Sequence, residues 1–442
     1  MITKTKTTAL VGGALAAMLV LTACGEGATE VAEVPGTGTG TAGAGQRTEI
    51  TWAGWDPRTG LEFISLTDGF NATNLQCEIY VVDYMTTGEY RTALTADLAA
   101  GTAPDILTLI DVPHFVTLSN GNQLLNIDDI VAAADPATAS LDLYVSQDGH
   151  FQAVPMRQDF WILYYNVDYF EQAGIPLPTQ AYTWDEFQAV AQQLTDNLPA
   201  GITGNYQHHW ASTVNAFAAV QTPGADLFGG DFSYLAPFYE RSLEMQADGL
   251  QPTFATVTTG SLHHRAEFGN QRAAMVNMGT WFMSQILDTW QTGEAEPFNW
   301  AIMPVPQYDA STVNAPITFG TPTGLAINQA IPADHLDCAK QFLAFAVGEA
   351  GARALASVGM VPPLLNDEIV DIIFAIEGMP QDELSKRTFL DSIVREQNPV
   401  SPNLPIVDSI LNDLHSEVMT VSTPIETAIQ NANERFAREA VN

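Results

Sequence analysis

From Glu49 to Asp111 the chain alternates short apolar runs with amphipathic stretches. Glu49–Ala53 reads as a strand broken by Gly54-Trp55-Asp56-Pro57, and a helix follows to about Thr73. Cys77–Asp83 reads as a second strand and Tyr90–Ala100 as a helix. Asp105–Ile110 reads as a third strand, after the turn Gly101-Thr102-Ala103-Pro104. Strands separated by helices of this length predict α/β units with a largely parallel sheet. Ligand crevices in such sheets lie beyond the carboxyl ends of the strands. Here those ends carry Trp55 and Asp56, then Tyr84, then Asp111. No Gly-rich loop follows any of them, which argues against a nucleotide site.

Further along, Phe151–Met156 and Phe160–Asn166 read as two extended pieces meeting at Arg157-Gln158-Asp159. Thr183-Trp184-Asp185-Glu186 is a capping box that starts a helix running to about Leu194. Helices are expected at about Leu235–Asp248 and Leu262–Asn270. A strand is expected at Ala273–Met278, broken by Gly279, and another at Gly324–Ile327. The last helix is capped by Thr423-Pro424-Ile425-Glu426 and carries Ile425, Ala428, Ile429, Ala432 and Phe436 on one face.

Composition narrows the function. Of 442 residues 46% are hydrophobic, so large cores are possible and global disorder is excluded. Acidic residues number 51 against 16 basic, a net charge of −35. That balance repels phosphate backbones and anionic bilayers, so no nucleic-acid partner is expected.

The N-terminus is different. Lys4 and Lys6 precede an uncharged stretch, and Ala9–Leu21 is too short and glycine-containing to span a bilayer comfortably. It reads as a secretory signal over residues 1–23. The closing Leu21-Thr22-Ala23-Cys24 resembles the bacterial lipobox. That resemblance implies cleavage before Cys24 and a lipid on its thiol. Residues 24–47 then form a flexible Gly/Thr/Ala tether, spanning about 25 Å as a coil. Export permits a disulfide between Cys77 and Cys338, but two cysteines so far apart do not establish one.

Eight segments carry a family resemblance. The first three are Ile50-Thr51-Trp52-Ala53-Gly54-Trp55, Ala99-Ala100-Gly101-Thr102-Ala103-Pro104-Asp105-Ile106, and Ala153-Val154-Pro155 through Leu163-Tyr164-Tyr165-Asn166. Phe268-Gly269-Asn270-Gln271-Arg272-Ala273-Ala274-Met275 follows, with Gly279-Thr280-Trp281. Met303-Pro304-Val305-Pro306, Gly324-Leu325-Ala326-Ile327, Ala339-Lys340-Gln341-Phe342-Leu343 and Gly359-Met360-Val361-Pro362 complete the set. In this order they resemble the extracellular solute-binding proteins of ABC importers, in the carbohydrate cluster that includes maltose-binding protein. The resemblance implies an α/β, two-lobe periplasmic-binding-protein fold of type II-like topology, with three crossover hinges and a cleft between the lobes. It implies lobe 1 at 48–156 and 317–361, and lobe 2 at 157–316 and 362–442. It also implies a monomer that delivers a sugar to permease subunits, with no catalysis and no cofactor.

Sugars present CH faces to aromatic planes and hydroxyl rims to carboxylates and amides. The candidates for ligand contact are therefore Trp55, Asp56, Tyr84, Asp111, Asp159, Trp161, Asn205, His208, His209, Trp210, Trp281, Phe319 and Gly320. Trp281 matches the family's sugar-stacking Trp, and Arg157 is placed to pair with Asp159. One departure is Leu411, which stands about where maltose-type members carry a ligand aromatic. The pairs His208-His209 and His263-His264 lack the His-Glu-x-x-His spacing and nearby cysteines of a metal site. Adjacent residues in an extended loop also point to opposite sides, so no metal is expected. Alternative readings are a binder of a glycerophosphodiester or polyol, a metal-binding lipoprotein, and a secreted glycoside hydrolase using Asp111 and Asp159.

Overall fold

The computed structural model describes residues 47–55, 60–84 and 87–440. The expected signal peptide, Cys24 and Asp56 lie outside the described residues. The described residues form eight strands: β1 (Thr48–Gly54), β2 (Cys77–Asp83), β3 (Ile106–Leu109), β4 (Val154–Asn166), β5 (Met275–Gly279), β6 (Trp300–Met303), β7 (Ile317–Ile327) and β8 (Ile393–Glu396). β1 runs parallel to β2 and β3, as the alternation predicts. The sheet is nevertheless mixed, because β7 returns antiparallel to β3, pairing Ile106 with Ile327 and Leu109 with Gly324.

The two extended pieces around Arg157 are one strand. β4 pairs with β7 from Val154 to Phe160, then with β5 from Trp161 and β6 from Leu163. The register slips between Pro155 and Arg157. Pro155 has no N–H to give the ladder, and a bulge is where a strand tolerates that. One strand thus belongs to two sheets, and each sheet has its own core.

The first core gathers around Trp52, whose ring meets Phe63 at 4.8 Å and Phe342 at 5.0 Å. Its Nε1 donates to Thr108 Oγ1 at 2.8 Å. The second gathers Trp161, Tyr164, Phe217, Phe268 and Phe282 with Val407, Leu414 and Phe436 from the C-terminal helices. Each fully buried Phe here stabilises by about 1.5–3 kcal/mol. The chain passes between the cores three times. β4 makes the first crossing and β7 the second, with Phe319 in one core and Leu325 in the other. The third lies near 355–361, where Leu355 and Met360 pack into the first core and Ala356 and Val361 into the second. Gly359 turns there at φ +78°, a conformation side chains disfavour. Gln158 N donates to Val361 O, tying the first crossing to the third. The fold is therefore the two-lobe α/β architecture that the sequence implies.

Local signals hold well. Thr183 and Glu186 form the reciprocal capping box, on a helix extending over Trp184–Asn197. The last helix, Ile425–Glu439, begins one residue after Pro424 and buries Ala428, Ile429, Ala432 and Phe436. The structure closes the open cysteine question: Cys77, at the start of β2, is bonded to Cys338 in the helix Leu336–Val347, with Cα atoms 5.6 Å apart.

Candidate functional site

Between the two cores lies a cleft of about 690 Å³, within the range of small-molecule sites. The first lobe contributes Trp55 from the end of β1, Ile110 and Asp111 after β3, Glu62 from the helix Leu61–Thr73, and Arg91 from Thr87–Ala100. The second contributes Trp210, His263, His264, Arg265, Trp281 and Asp288, with Asp408 from the helix Leu404–Met419. The crossings form the floor, presenting Arg157, Asp159, Trp161, Thr321, Thr323 and Met360.

Three tryptophans build one wall. Trp161 stands at 90° to Trp281 with centroids 5.9 Å apart, and at 79° to Trp210 at 6.4 Å. Trp210 and Trp281 are 6.3 Å apart. Trp161 is only 2% exposed, so it backs the wall, while Trp210 and Trp281 are half-buried and keep surface in the cleft. Edge-to-face contacts of this kind hold rings in fixed orientations. Gly279 makes the arrangement possible, since a Cβ there would stand 2.0 Å from the Trp281 ring.

The floor is a charge network. Arg157 pairs with Glu62 through Nη1 and approaches Asp159 Oδ2 through Nε at 2.7 Å. Thr280 Oγ1 donates to Asp159 Oδ1 at 2.9 Å. The Arg157–Asp159 approach lacks hydrogen-bond alignment, which leaves Oδ2 and Nε without a hydrogen-bond partner. Burial pushes the Asp159 carboxyl above its usual range, against the pull of Arg157. Burial disfavours the Arg157 charge, and Asp159 and Glu62 more than restore it. Asp111 caps the helix Val112–Asn120 by accepting from His114 N at 2.9 Å, and its other oxygen pairs with Arg91. Arg265 pairs with Asp288 and Glu294. Trp161 Nε1, Thr321 Oγ1 and Gln397 Oε1 are buried polar atoms without a protein partner, on residues that line the cleft.

Of the sequence-derived candidates, the fold brings together Trp55, Asp111, Asp159, Trp161, Trp210 and Trp281. It does not bring the other described candidates to the cleft lining. Tyr84 donates to Asp97 Oδ2 at 2.7 Å and packs on Tyr90. Phe319 is fully buried between Trp161 and Phe217, so its apolar ring serves the second core. Gly320 lies in the β7 ladder, where a Cβ would meet Val394 at 2.7 Å. Asn205 bonds Gln251 and lines a separate void of about 40 Å³, too small for a solute. His208 is buried behind the wall, and His209 is exposed outside the cleft lining. Leu411 packs in the second core, and Asp408 from the preceding turn of its helix lines the cleft.

Glu62, Arg91, Gln397 and Asp408 were not legible as site residues. One usable signal was rarity: among only 16 basic residues, Arg91, Arg157 and Arg265 all line one cleft.

The sequence profile described as bacterial extracellular solute-binding protein matches residues 58–353. A curated relative, the arabinooligosaccharide-binding protein of Halalkalibacterium halodurans, is 25% identical over 65% of this chain and 64% of its own length. The sn-glycerol-3-phosphate-binding periplasmic protein of Yersinia enterocolitica is 30% identical over 37% of this chain and 38% of its own. The chain thus aligns with less than two thirds of either relative. Among solved structures, a sugar transporter from Rhizobium etli in an open conformation is 30% identical, with TM-score 0.76 over 89% of this chain and 100% of that one. A cycloalternan complex of a substrate-binding protein from Listeria monocytogenes, 18% identical, shares the fold with TM-score 0.72 over 89% of this chain and 99% of its own.

Proposed function

The chain belongs to the bacterial extracellular solute-binding protein family, and from that membership we propose that it captures a neutral sugar in the interlobe cleft and hands it to an ABC permease. The observation that carries the substrate class is the pairing of the cleft cations. Arg91, Arg157 and Arg265 are each paired with one or more carboxylates. The lining also holds five acids, Glu62, Asp111, Asp159, Asp288 and Asp408. A phosphate would meet no uncommitted cation among the described lining residues, and would face a net negative field. A neutral polyhydroxylated solute has CH faces for Trp210 and Trp281, and hydroxyls for Asp111, Thr321 and Gln397.

On this reading the cleft binds and does not hydrolyse, and Cys24 carries the lipid that keeps the protein at the outer face of the membrane. No helix among the described residues is long and apolar enough to cross a membrane. A glycerophosphodiester is the second reading: the sn-glycerol-3-phosphate-binding relative supports its glycerol-phosphate half, and the paired arginines oppose it. Calorimetric titration against a panel of neutral mono- and oligosaccharides, polyols and glycerophosphodiesters tests the proposal. Saturable binding of a neutral sugar supports it. Binding confined to the phosphodiesters overturns it.

A further inference from the structure

Two histidine pairs that are distant in sequence converge beside the tryptophan wall. The rings of His263 and His264 lie 4.0 Å apart, and His208 approaches them at 5.3 and 5.2 Å. Each of the three offers a ring nitrogen, and these nitrogens all lie within 4.8 Å of one another. We infer that His208, His263 and His264 form a three-histidine site for a divalent transition cation of the zinc class, with a coordination position reached from the cleft. This inference rests on the geometry of the trio and on no particular solute, and a bound ion would add to the cleft a cation that the metal-free lining lacks.

The hydrogen bonds set two of the rings in ligand form. Tyr206 Oη donates to Leu262 O at 2.8 Å, so at its 2.8 Å contact with His208 Nδ1 the ring nitrogen must be the donor. That leaves the lone pair of His208 on Nε2. His264 is only 1% exposed, and its Nε2 bonds Gln285 Oε1 at 3.1 Å, an acceptor that requires N–H there. Its Nδ1 then carries a lone pair, and that buried atom has no partner. A buried polar nitrogen without a partner is costly, and a bound cation would satisfy it. Such outer contacts are how proteins orient histidine ligands. Burial also keeps His208 and His264 in the neutral, ligating form.

His263 is the adjustable member. Its ring is exposed, and Nδ1 makes only a long 3.4 Å cap to Arg265 N. A tetrahedral ion with nitrogen ligands at about 2.0–2.1 Å needs donors roughly 3.3 Å apart, so the trio must contract. Rotation of the exposed His263 ring can bring its nitrogen in, and small shifts of His208 and His264 must close the distance between those two. Three protein ligands leave the fourth position of a zinc ion for water or a solute oxygen. His263 and His264 line the cleft, which gives access from that side. The charge of neighbouring Arg265 is offset by Asp288 and Glu294.

The test is titration of the metal-stripped full chain with zinc, followed by calorimetry in a millimolar background of magnesium that occupies surface carboxylates. One ion per chain, with micromolar or tighter affinity, is expected. His263→Ala, at an exposed position, should weaken binding at least tenfold with an unchanged melting temperature, and His264→Gln should weaken it likewise. His209→Ala, beside the trio but outside it, should leave affinity within threefold. Cobalt(II) should give the visible absorption of a four-coordinate site. Absence of saturable zinc binding overturns the proposal. So does a His209→Ala effect equal to that of His263→Ala, or full affinity in both trio variants.

Discussion

The ring of Trp281 lies directly over the α-carbon of Gly279, so closely that a methyl group there would stand 2.0 Å from the ring. Gly279 ends β5 opposite Trp161 of β4, the ring that meets Trp281 edge to face. The Trp281 ring is thus positioned by a strand pair and a missing side chain. Gly279→Ala should push the Trp281 ring out of place. Sugar affinity should fall by tenfold or more, with a smaller loss of stability than a core truncation causes. Calorimetry and a thermal melt on the same variant check this, and unaltered affinity would contradict it.

The Cys77–Cys338 bond closes a loop spanning 261 positions and ties β2 to the helix Leu336–Val347, which packs in the first core. Crosslinks of long loops restrict the unfolded chain most. The Cys77→Ala/Cys338→Ala pair should lower stability by about 2–5 kcal/mol. Urea unfolding measures it, and an unchanged midpoint would count against the bond's role.

Arg157 is shared by two buried carboxylates, Glu62 of the first lobe and Asp159 of the crossing strand. Arg157→Ala strands both, and should cost about 3–5 kcal/mol. Adding Glu62→Gln and Asp159→Asn to that variant should recover a large part of the loss. Failure to recover would show that packing of the Arg157 stem, and not charge, was lost.

His114 gives a pH signature. Burial, aided by Arg91, pushes its pKa from 6.5 down to about 3. The unfolded chain takes up the proton near pH 6.5, while the folded one resists until about pH 3. The stability His114 contributes is therefore complete above pH 6.5 and is lost as pH falls toward 3. The slope is at most about 1.4 kcal/mol per pH unit. In His114→Asn, Oδ1 can take the place of Nδ1 in accepting from Ile110 N. Urea unfolding between about pH 7 and 4 should show a shallower loss of stability for this variant. Parallel slopes for the two proteins would refute the assignment.

What the sequence made legible follows from the range of the interactions. The capping box at Thr183 and the apolar stripe ending at Phe436 are local, and both read correctly. Trp55, Asp111, Asp159, Trp161, Trp210 and Trp281 were identifiable because aromatic and acidic residues stand at strand ends and in family-like segments. Phe319 misled, because its motif position says nothing about which side of β7 its ring takes. The strand expected at Gly324–Ile327 begins seven residues earlier, at Ile317, although Gly320 and Pro322 stand in the added part. Pairing with β3, β4 and β8 overrides those residues. The helices Phe282–Gln291 and Asp367–Phe374 were not identified as elements. The histidine trio was illegible because His208 is 55 or more positions from its partners, and only the tertiary fold brings them together.

The measurement that tests the central claim most directly is sugar affinity and melting temperature on Trp281→Ala. A cleft-facing aromatic anchor is worth about 2–4 kcal/mol on truncation, so binding should weaken roughly 30- to 700-fold. The fold should persist, since the ring is half-buried and its partners Trp161 and Trp210 remain. A folded Trp281→Ala protein that binds its sugar within threefold of the parent would contradict the account and remove Trp281 from the site.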